Sequence, residues 1–220
     1  MSVEHFDDRP PEPRVRDLQP EDCRATAAMH VRLLPHGFFA RLGPRFLAAY
    51  HRSFQRSPHA ISLVAVRDGE VVGFLLGLLR PGAHGAQVLR SSGLHLAAAG
   101  ALGLLLHPRL LALFVRTRVA RYARGISRRL RPKTTQPVTE AAAVLQHVAV
   151  DPARRQTGTG RALVRAFEEL VAEAGVGQVV LLTTPEEDGA PAFYRRLGYE
   201  EQGRVRGADG DEWLRHRRRV

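Results

Sequence analysis

Residues 141–175 constrain the fold more than any other part of the chain. Residues 141–150 form an apolar, β-compatible run, and Asp151-Pro152 ends it because proline has no N–H to give a strand ladder. Residues 160–174 then place Leu163, Phe167, Leu170, Val171 and Ala174 on one helical face, with Gly175 at the C-terminal position glycine favours. Between them lies Arg155-Gln156-Thr157-Gly158-Thr159-Gly160. A strand, a tight loop with glycines two residues apart and an amphipathic helix make a unit suited to phosphate. The helix N-terminus offers N–H groups and partial positive charge, and glycine lets the backbone approach a ligand. Arg155 and Arg161 add charge at either end. The spacing is not the dinucleotide fingerprint, since Leu163 stands where a third glycine belongs, and it lacks the Gly-Lys-Ser/Thr ending of a Walker loop.

The remaining elements read outward from this unit. Residues 1–13, rich in proline and acids, are expected to be a disordered lead-in, with one domain over 14–220. Residues 14–18 alternate like an edge strand. Pro20-Glu21-Asp22 favours a helix start running to about Leu34, and a second helix follows Gly43-Pro44 with Phe46, Leu47, Tyr50 and Phe54 on one face. Residues 61–67 and 70–79 flank Asp68-Gly69, the signal of a two-residue hairpin turn. A short strand over 178–184, a helix over 190–197 stopped by Gly198, and two strands over 199–205 and 212–218 complete an α/β order without internal repeats.

Residues 148–163, from Val148-Ala149-Val150-Asp151-Pro152 through the glycines to Leu163, resemble the signature of the GCN5-related N-acetyltransferase (GNAT) superfamily. Ala190-Pro191-Ala192-Phe193-Tyr194 with Gly198-Tyr199 is similar to that family's Ala-x-x-Phe-Tyr helix, one helix and one strand later, where the family has it. The resemblance implies a single-domain α/β fold with a mixed, mostly antiparallel sheet. It also implies that the sheet splays between its fourth and fifth strands and is flanked by helices. Acetyl-CoA would lie in the splay as acyl donor and co-substrate, without a metal. Val148, Ala149 and Val150 would meet its acetyl and pantetheine portions. Arg155, Gln156, Thr157, Gly158, Thr159, Gly160 and Arg161 would meet its pyrophosphate, and Tyr194 would lie near the sulfur to protonate the leaving thiolate. The family's usual Asn is replaced here by Glu187, a carboxylate that cannot donate as an amide does.

A general base is less visible. Period-two alternation puts Val148, Gln146 and Val144 on the face of Val150, and none is a base. Glu140 shares that parity at the strand's start and is the candidate, with a water chain through Gln146 as competitor. His147 falls on the opposite face, where it reads as a packed core histidine unless a bulge turns the strand.

Composition separates function classes chiefly through one segment. Eleven of the 33 Lys and Arg residues, and none of the 22 acids, lie between Arg80 and Thr139, so the net charge of +11 resides there. This stretch is expected to be a helical insertion after the third strand, too long for a structureless loop. Apolar runs over 93–106 and 110–115 are broken at Pro108-Arg109, short of a membrane span. Three readings of the insertion stay open: helices that cover the core or a homodimer contact, a substrate lid whose arginines bind an anionic acceptor, and weak membrane-surface attachment through 93–133. Phe114 and Tyr122 are too sparse for base stacking, so no nucleic-acid partner is expected. A lone cysteine, Cys23, and a non-signal-like N-terminus point to the cytoplasm. The function implied is acetyl transfer to a primary amine of a small, possibly anionic metabolite such as an amino sugar, by direct attack in a ternary complex. The alternatives are a non-catalytic acyl-CoA-binding or regulatory module and a membrane-surface acyltransferase.

Overall fold

The computed structural model describes residues 13–35, 39–91, 93, 96, 142–185, 190–207 and 211–220. The chain runs β1 (Arg14–Asp17), α1 (Asp22–Leu33), α2 (Gly43–Gln55), β2 (Ala60–Arg67), β3 (Glu70–Leu78) and α3 (Pro81–Ser91). It resumes with β4 (Ala143–Val150), α4 (Thr159–Glu173), β5 (Gln178–Thr183), α5 (Ala190–Arg196), β6 (Glu200–Arg206) and β7 (Glu212–Arg219). Seven strands form one sheet in the order β1-β2-β3-β4-β5-β7-β6, antiparallel throughout except for the parallel β4–β5 pair.

Local chemistry explains the joints. Asp68 and Gly69 take φ of 53° and 80°, the paired positive angles of a hairpin turn whose twist matches the flanking strands. Asp22 opens α1 and accepts two bonds from the Arg16 guanidinium, at 2.6 and 3.1 Å, which ties the helix start to β1. Gly175 ends α4 at φ 71°.

The sheet is the middle of three layers. On one side α4 and α5 bury Leu163, Val164, Phe167, Val171 and Tyr194 against Ile61, Leu63, Ala65, Leu75, Leu145, Val179 and Leu181. Ala174, expected on that apolar face, is exposed at the helix end, and Val164 is buried in the face instead. On the other side α1 and α2 cover Val64, Phe74, Leu76 and Ala149 with Cys23, Met29 and Phe54. Fully burying a side chain such as Phe167 contributes roughly 2–3 kcal/mol, so the α4 contacts are a principal source of stability.

Two irregularities shape the centre of the sheet. Leu76 pairs with His147, but the next residue, Gly77, pairs with Leu145, so Gln146 is an extra, bulged residue on β4. A Cβ on Gly77 would sit 2.1 Å from Cε2 of Phe167, so glycine is what leaves room for that ring beside the bulge. The β4–β5 ladder runs from Ala143↔Val179 to Leu145↔Leu181 and stops there, at the bulge. Beyond it β5 continues along β7 to Thr183↔Leu214 while β4 continues along β3 to Val150↔Gly73, so the two strands part.

Candidate active site

The bulge changes which β4 side chains share a face. Ala143 and Leu145 pack toward α4, and past Gln146 it is Val148 and Val150 that do so. Val144 therefore does not share the face of Val150, and the strict alternation expected along β4 is corrected at Gln146. His147 and Ala149 point the other way, toward α1 and α2; His147 faces opposite to Val150 as alternation requires, and its largely buried ring lies at the level where β5 leaves β4. Glu140 and Glu187 lie outside the described residues, as does Ala141.

At the end of β4 the Asp151 carboxylate accepts from Ala153 N at 3.0 Å and from the Arg32 guanidinium at 2.9 Å, joining the strand end to α1. The loop then turns through two left-handed residues, Gln156 at φ 64° and Gly158 at φ 83°. Gln156 pays a conformational cost there that Gly158 does not. The Thr157 hydroxyl donates to the Arg154 carbonyl at 2.7 Å and lies 3.0 Å from the buried Thr159 hydroxyl, which braces the turn from within. The first bond of α4 runs from Ala162 N to Gly158 O, so the N–H groups of Thr159, Gly160 and Arg161 precede the helical ladder. Arg155, Gln156, Gly158 and Arg161 are exposed around them.

The two sequence motifs meet in space. Phe193 of α5 stands over the start of α4, its Cζ 3.4 Å from where a Cβ on Gly160 would be, with Val150 Cγ2 at 3.7 Å. Tyr194 is 4% exposed, packed among Phe193, Tyr199 and His216 at ring distances of 5.1, 5.4 and 6.1 Å. His216 is itself held by Thr183 of β5, Nε2 to Oγ1 at 3.0 Å. Tyr194 thus sits on the β5 side of the parted strands, inside the α4–α5 cluster, while the phosphate-suited loop caps the β4 side.

Across the sheet is a group of residues that the sequence did not single out as a site. His30 of α1 and His51 of α2 are buried, His30 Nδ1 lies 3.0 Å from His51 Nε2, and His51 Nδ1 lies 2.9 Å from the Thr26 hydroxyl. His147 stands 4.6 Å from the His30 ring and its Nε2 is 3.4 Å from the Tyr50 hydroxyl. Burial lowers all three histidines: His30 to about 4, His51 to about 3 with His30 adding to the effect, and His147 well below the ordinary range with both neighbours contributing. Near neutral pH the cluster is therefore uncharged. Phe39 extends it outward, 5.1 Å from Tyr50, so the partly buried Phe39, Tyr50 and His147 form an aromatic strip leading to the point where β4 and β5 part.

No His, Cys, Asp or Glu group suited to a metal occurs among the described residues, and no described helix is long and apolar enough to cross a membrane. Arg80 and Arg90 apart, the basic residues of the insertion, which run from Arg109 to Lys133, lie outside the described residues, as does most of the 93–133 stretch read as a membrane contact.

Residues 32–199 match the model of the acetyltransferase (GNAT) family. An uncharacterized N-acetyltransferase of Methanocaldococcus jannaschii is 37% identical over 78 residues, a match that spans 36% of this chain and 32% of that protein's length. Among solved structures, SsHAT superposes with a TM-score of 0.62 at 26% identity, covering 95% of this chain and 98% of its own. Two more distant structures share the fold. The ribosomal-protein-S18-alanine N-acetyltransferase of Escherichia coli has a TM-score of 0.55 at 14% identity, covering 94% of both chains. Ard1 of Thermoplasma volcanium has a TM-score of 0.56 at 18% identity, covering 96% of this chain and 99% of its own.

Proposed function

We propose that this chain, which belongs to the acetyltransferase (GNAT) family, moves the acetyl group of acetyl-CoA to a primary amine of a small molecule. The observation that carries the reading is the junction at the centre of the sheet. The β4–β5 ladder ends at Leu145↔Leu181, one strand end away from a loop with a left-handed glycine and three N–H groups ahead of the helical ladder.

These residues fit an acyl-CoA. Gly158 presents no Cβ and has nothing within 4 Å of where one would be, and the exposed Arg155 and Arg161 supply the charge a pyrophosphate requires. In this reading the N–H groups from Gln156 to Arg161 hold the pyrophosphate, and the backbone of Val148, Ala149 and Val150 holds the pantetheine and acetyl portions along the edge that β5 has left. Bound acetyl-CoA supplies an activated carbonyl.

The chain's own residues then manage protons. The amine nitrogen attacks the carbonyl carbon in a ternary complex, the C–N bond forms as the C–S bond breaks, and the amine gives up one proton while the thiolate needs one. We assign the first proton to the His147 imidazole, which is neutral and largely buried at the junction. The second comes from Tyr194 on the opposite side. A base held well below the ordinary histidine range cannot strip an ammonium ion, so the acceptor enters as the neutral amine and kcat/KM rises with pH up to the amine's own pKa.

The wall leading to His147 bears on the acceptor. Phe39, Tyr50 and His147 are uncharged rings, and the neighbouring Arg32 is committed to Asp151. This wall favours an amine with a flat apolar body. Preference for an anionic amino sugar rests on insertion arginines outside the described residues.

Release of free thiol from acetyl-CoA across a panel of arylalkylamines, amino sugars, amino-sugar phosphates and polyamines tests the reading. Turnover with at least one amine, led by the arylalkylamines, is expected. Tight acetyl-CoA binding with no turnover on any amine would mark a non-catalytic acyl-CoA module instead. Tyr194→Phe is expected to lower kcat about tenfold or more while leaving acetyl-CoA affinity nearly unchanged, and equal turnover would reduce Tyr194 to packing.

A further inference from the structure

The polar side chains behind His147 form a hydrogen-bond chain whose direction is set at its far end. The Thr26 hydroxyl lies 3.1 Å from the Asp22 carbonyl and 3.4 Å from the Cys23 carbonyl. Carbonyls only accept, so the hydroxyl proton points to them and its oxygen accepts from His51 Nδ1 at 2.9 Å. His51 is thereby the Nδ1–H tautomer with a bare lone pair on Nε2. His30 Nδ1, 3.0 Å from that lone pair, must donate, which makes His30 an Nδ1–H tautomer as well. Every proton in the chain points away from His147 toward the start of α1, and the basic end, His30 Nε2, belongs to the ring 4.6 Å from His147.

These positions are costly to make polar. Thr26 and His51 are 0% exposed and His30 is 2% exposed, and Val, Phe or Leu would fill the same space without desolvating hydrogen-bonding groups. The chain cannot serve as an exit path for protons, because it terminates on two carbonyls. What it can do is hold aligned dipoles.

We propose that Thr26, His51 and His30 are positioning residues for His147: their polarised chain sets negative potential beside its imidazole and supports the positive charge that develops there during attack. The inference rests on the reading of His147 as the group that receives the amine's proton. The titratable groups that face His147 are His30 from α1 and Tyr50 and His51 from α2. Repulsion from His30 or His51 requires them to be charged, which burial prevents above about pH 4; in the working range they act on His147 through their dipoles.

The test compares wild type with Thr26→Val, which keeps the shape and removes the hydroxyl, and Thr26→Ser, which restores it. Long-range proton–nitrogen spectra of protein labelled with nitrogen-15 at histidine report each ring's tautomer and titration without any need for turnover. Wild type is expected to show Nδ1–H at both His30 and His51. Thr26→Val is expected to lose that pattern at His51, to move the titration of His147 to lower pH by about half a unit, and to lower kcat roughly three- to tenfold with KM for acetyl-CoA unchanged. Below the slope set by the amine, a second and steeper fall of kcat/KM in acid should follow His147, and Thr26→Ser should restore all of these. Nε2–H tautomers in wild type, or a Thr26→Val protein that loses thermal stability while its His147 titration and pH profile stay in place, would overturn the proposal. If wild type turns over no amine, the transferase reading fails on its own, and the tautomers and the His147 titration still decide whether the chain polarises that ring.

Discussion

Lowering the pH should loosen this protein before its carboxylates protonate, and His30 gives the size of the effect. The unfolded chain takes up a proton on this residue near pH 6.5, whereas the native state does so only at about 4. Between those values the unfolded state binds more protons, so stability is full above about pH 7, falls as pH drops through the window, and levels off below about pH 4. At pH 5 the unfolded histidine is almost fully protonated and the native one about a tenth so. The difference from pH 7.5 is about 2 kcal/mol for this group alone, out of a total that for ordinary domains is roughly 5–15 kcal/mol. His51, His84, His147 and His216 are lowered too and act in the same direction. Glu168, raised chiefly by burial, acts in the opposite direction, so the measurement must isolate His30. Urea unfolding of wild type and His30→Phe at about pH 7.5 and pH 5 does so. Phenylalanine is of similar bulk and does not titrate. It weakens the fold at both pH values, since His51 Nε2 loses its donor, but it should remove about 2 kcal/mol of the pH dependence. A variant whose stability falls between the two pH values by the same amount as wild type, within about 0.5 kcal/mol, would show that His30 is not buried in neutral form.

Three further outcomes follow from the packing. Gly77→Ala is expected to cost about 1–3 kcal/mol in urea unfolding, because its Cβ meets the fully buried Phe167 ring at 2.1 Å, and Gly77→Ala combined with Phe167→Leu should recover part of that loss. At the phosphate-suited loop, Gly158→Ala should weaken acetyl-CoA binding and cost about 1–2 kcal/mol of stability, since position 158 is left-handed at φ 83°. Gly160→Ala, which finds Phe193 at an ordinary 3.4 Å, should be mild in both calorimetric affinity and thermal midpoint. Arg218→Met should lower stability by about 3 kcal/mol at neutral pH, because Arg218 bonds both Glu168 oxygens at 3.1–3.2 Å as well as the Leu197 carbonyl; that loss should shrink in mild acid as Glu168 protonates.

Much of the fold was legible in sequence because its joints depend on local chemistry. Asp68-Gly69 announces two positive φ angles, Gly175 and Gly198 announce helix ends, and the glycines at 158 and 160 announce a strand-to-helix loop. Each depends on a neighbour or two, which is the range over which sequence pattern acts. The ion pairs that fasten distant elements, Arg32 with Asp151 and Arg218 with Glu168, join residues whose spacing carries no periodic signal. Tyr194 was placed on its helix correctly, yet its burial between α4, α5 and β7 depends on β7 returning beside β5, a topological fact.

The acceptor side was hidden by length of chain, and one extra residue changed which face the start of β4 presents. Alternation along β4 assigned Val148, Gln146 and Val144 to one face and sought a base there, but the bulge at Gln146 breaks that series and allows β5 to leave. His147, read from alternation as a packed histidine on the opposite face, does lie there, and it is the β4 side chain that reaches α1 and α2 at the parting. Its partners were in principle visible. Thr26 and His30 are four apart on one side of α1, and His51 falls among Phe46, Leu47, Tyr50 and Phe54 in the apolar stripe of α2, where a polar residue must find a buried partner. Two helices each carrying such a residue, and a strand carrying a third within the donor motif, suggest a shared buried network. The convergence of these three residues beside the parted strands is what makes a histidine a candidate for the proton acceptor. Changing Thr26, which would touch neither substrate, is then the most discriminating substitution, because Val keeps the volume of the side chain while removing its hydroxyl and Ser restores the hydroxyl, which separates polarisation of His147 from packing.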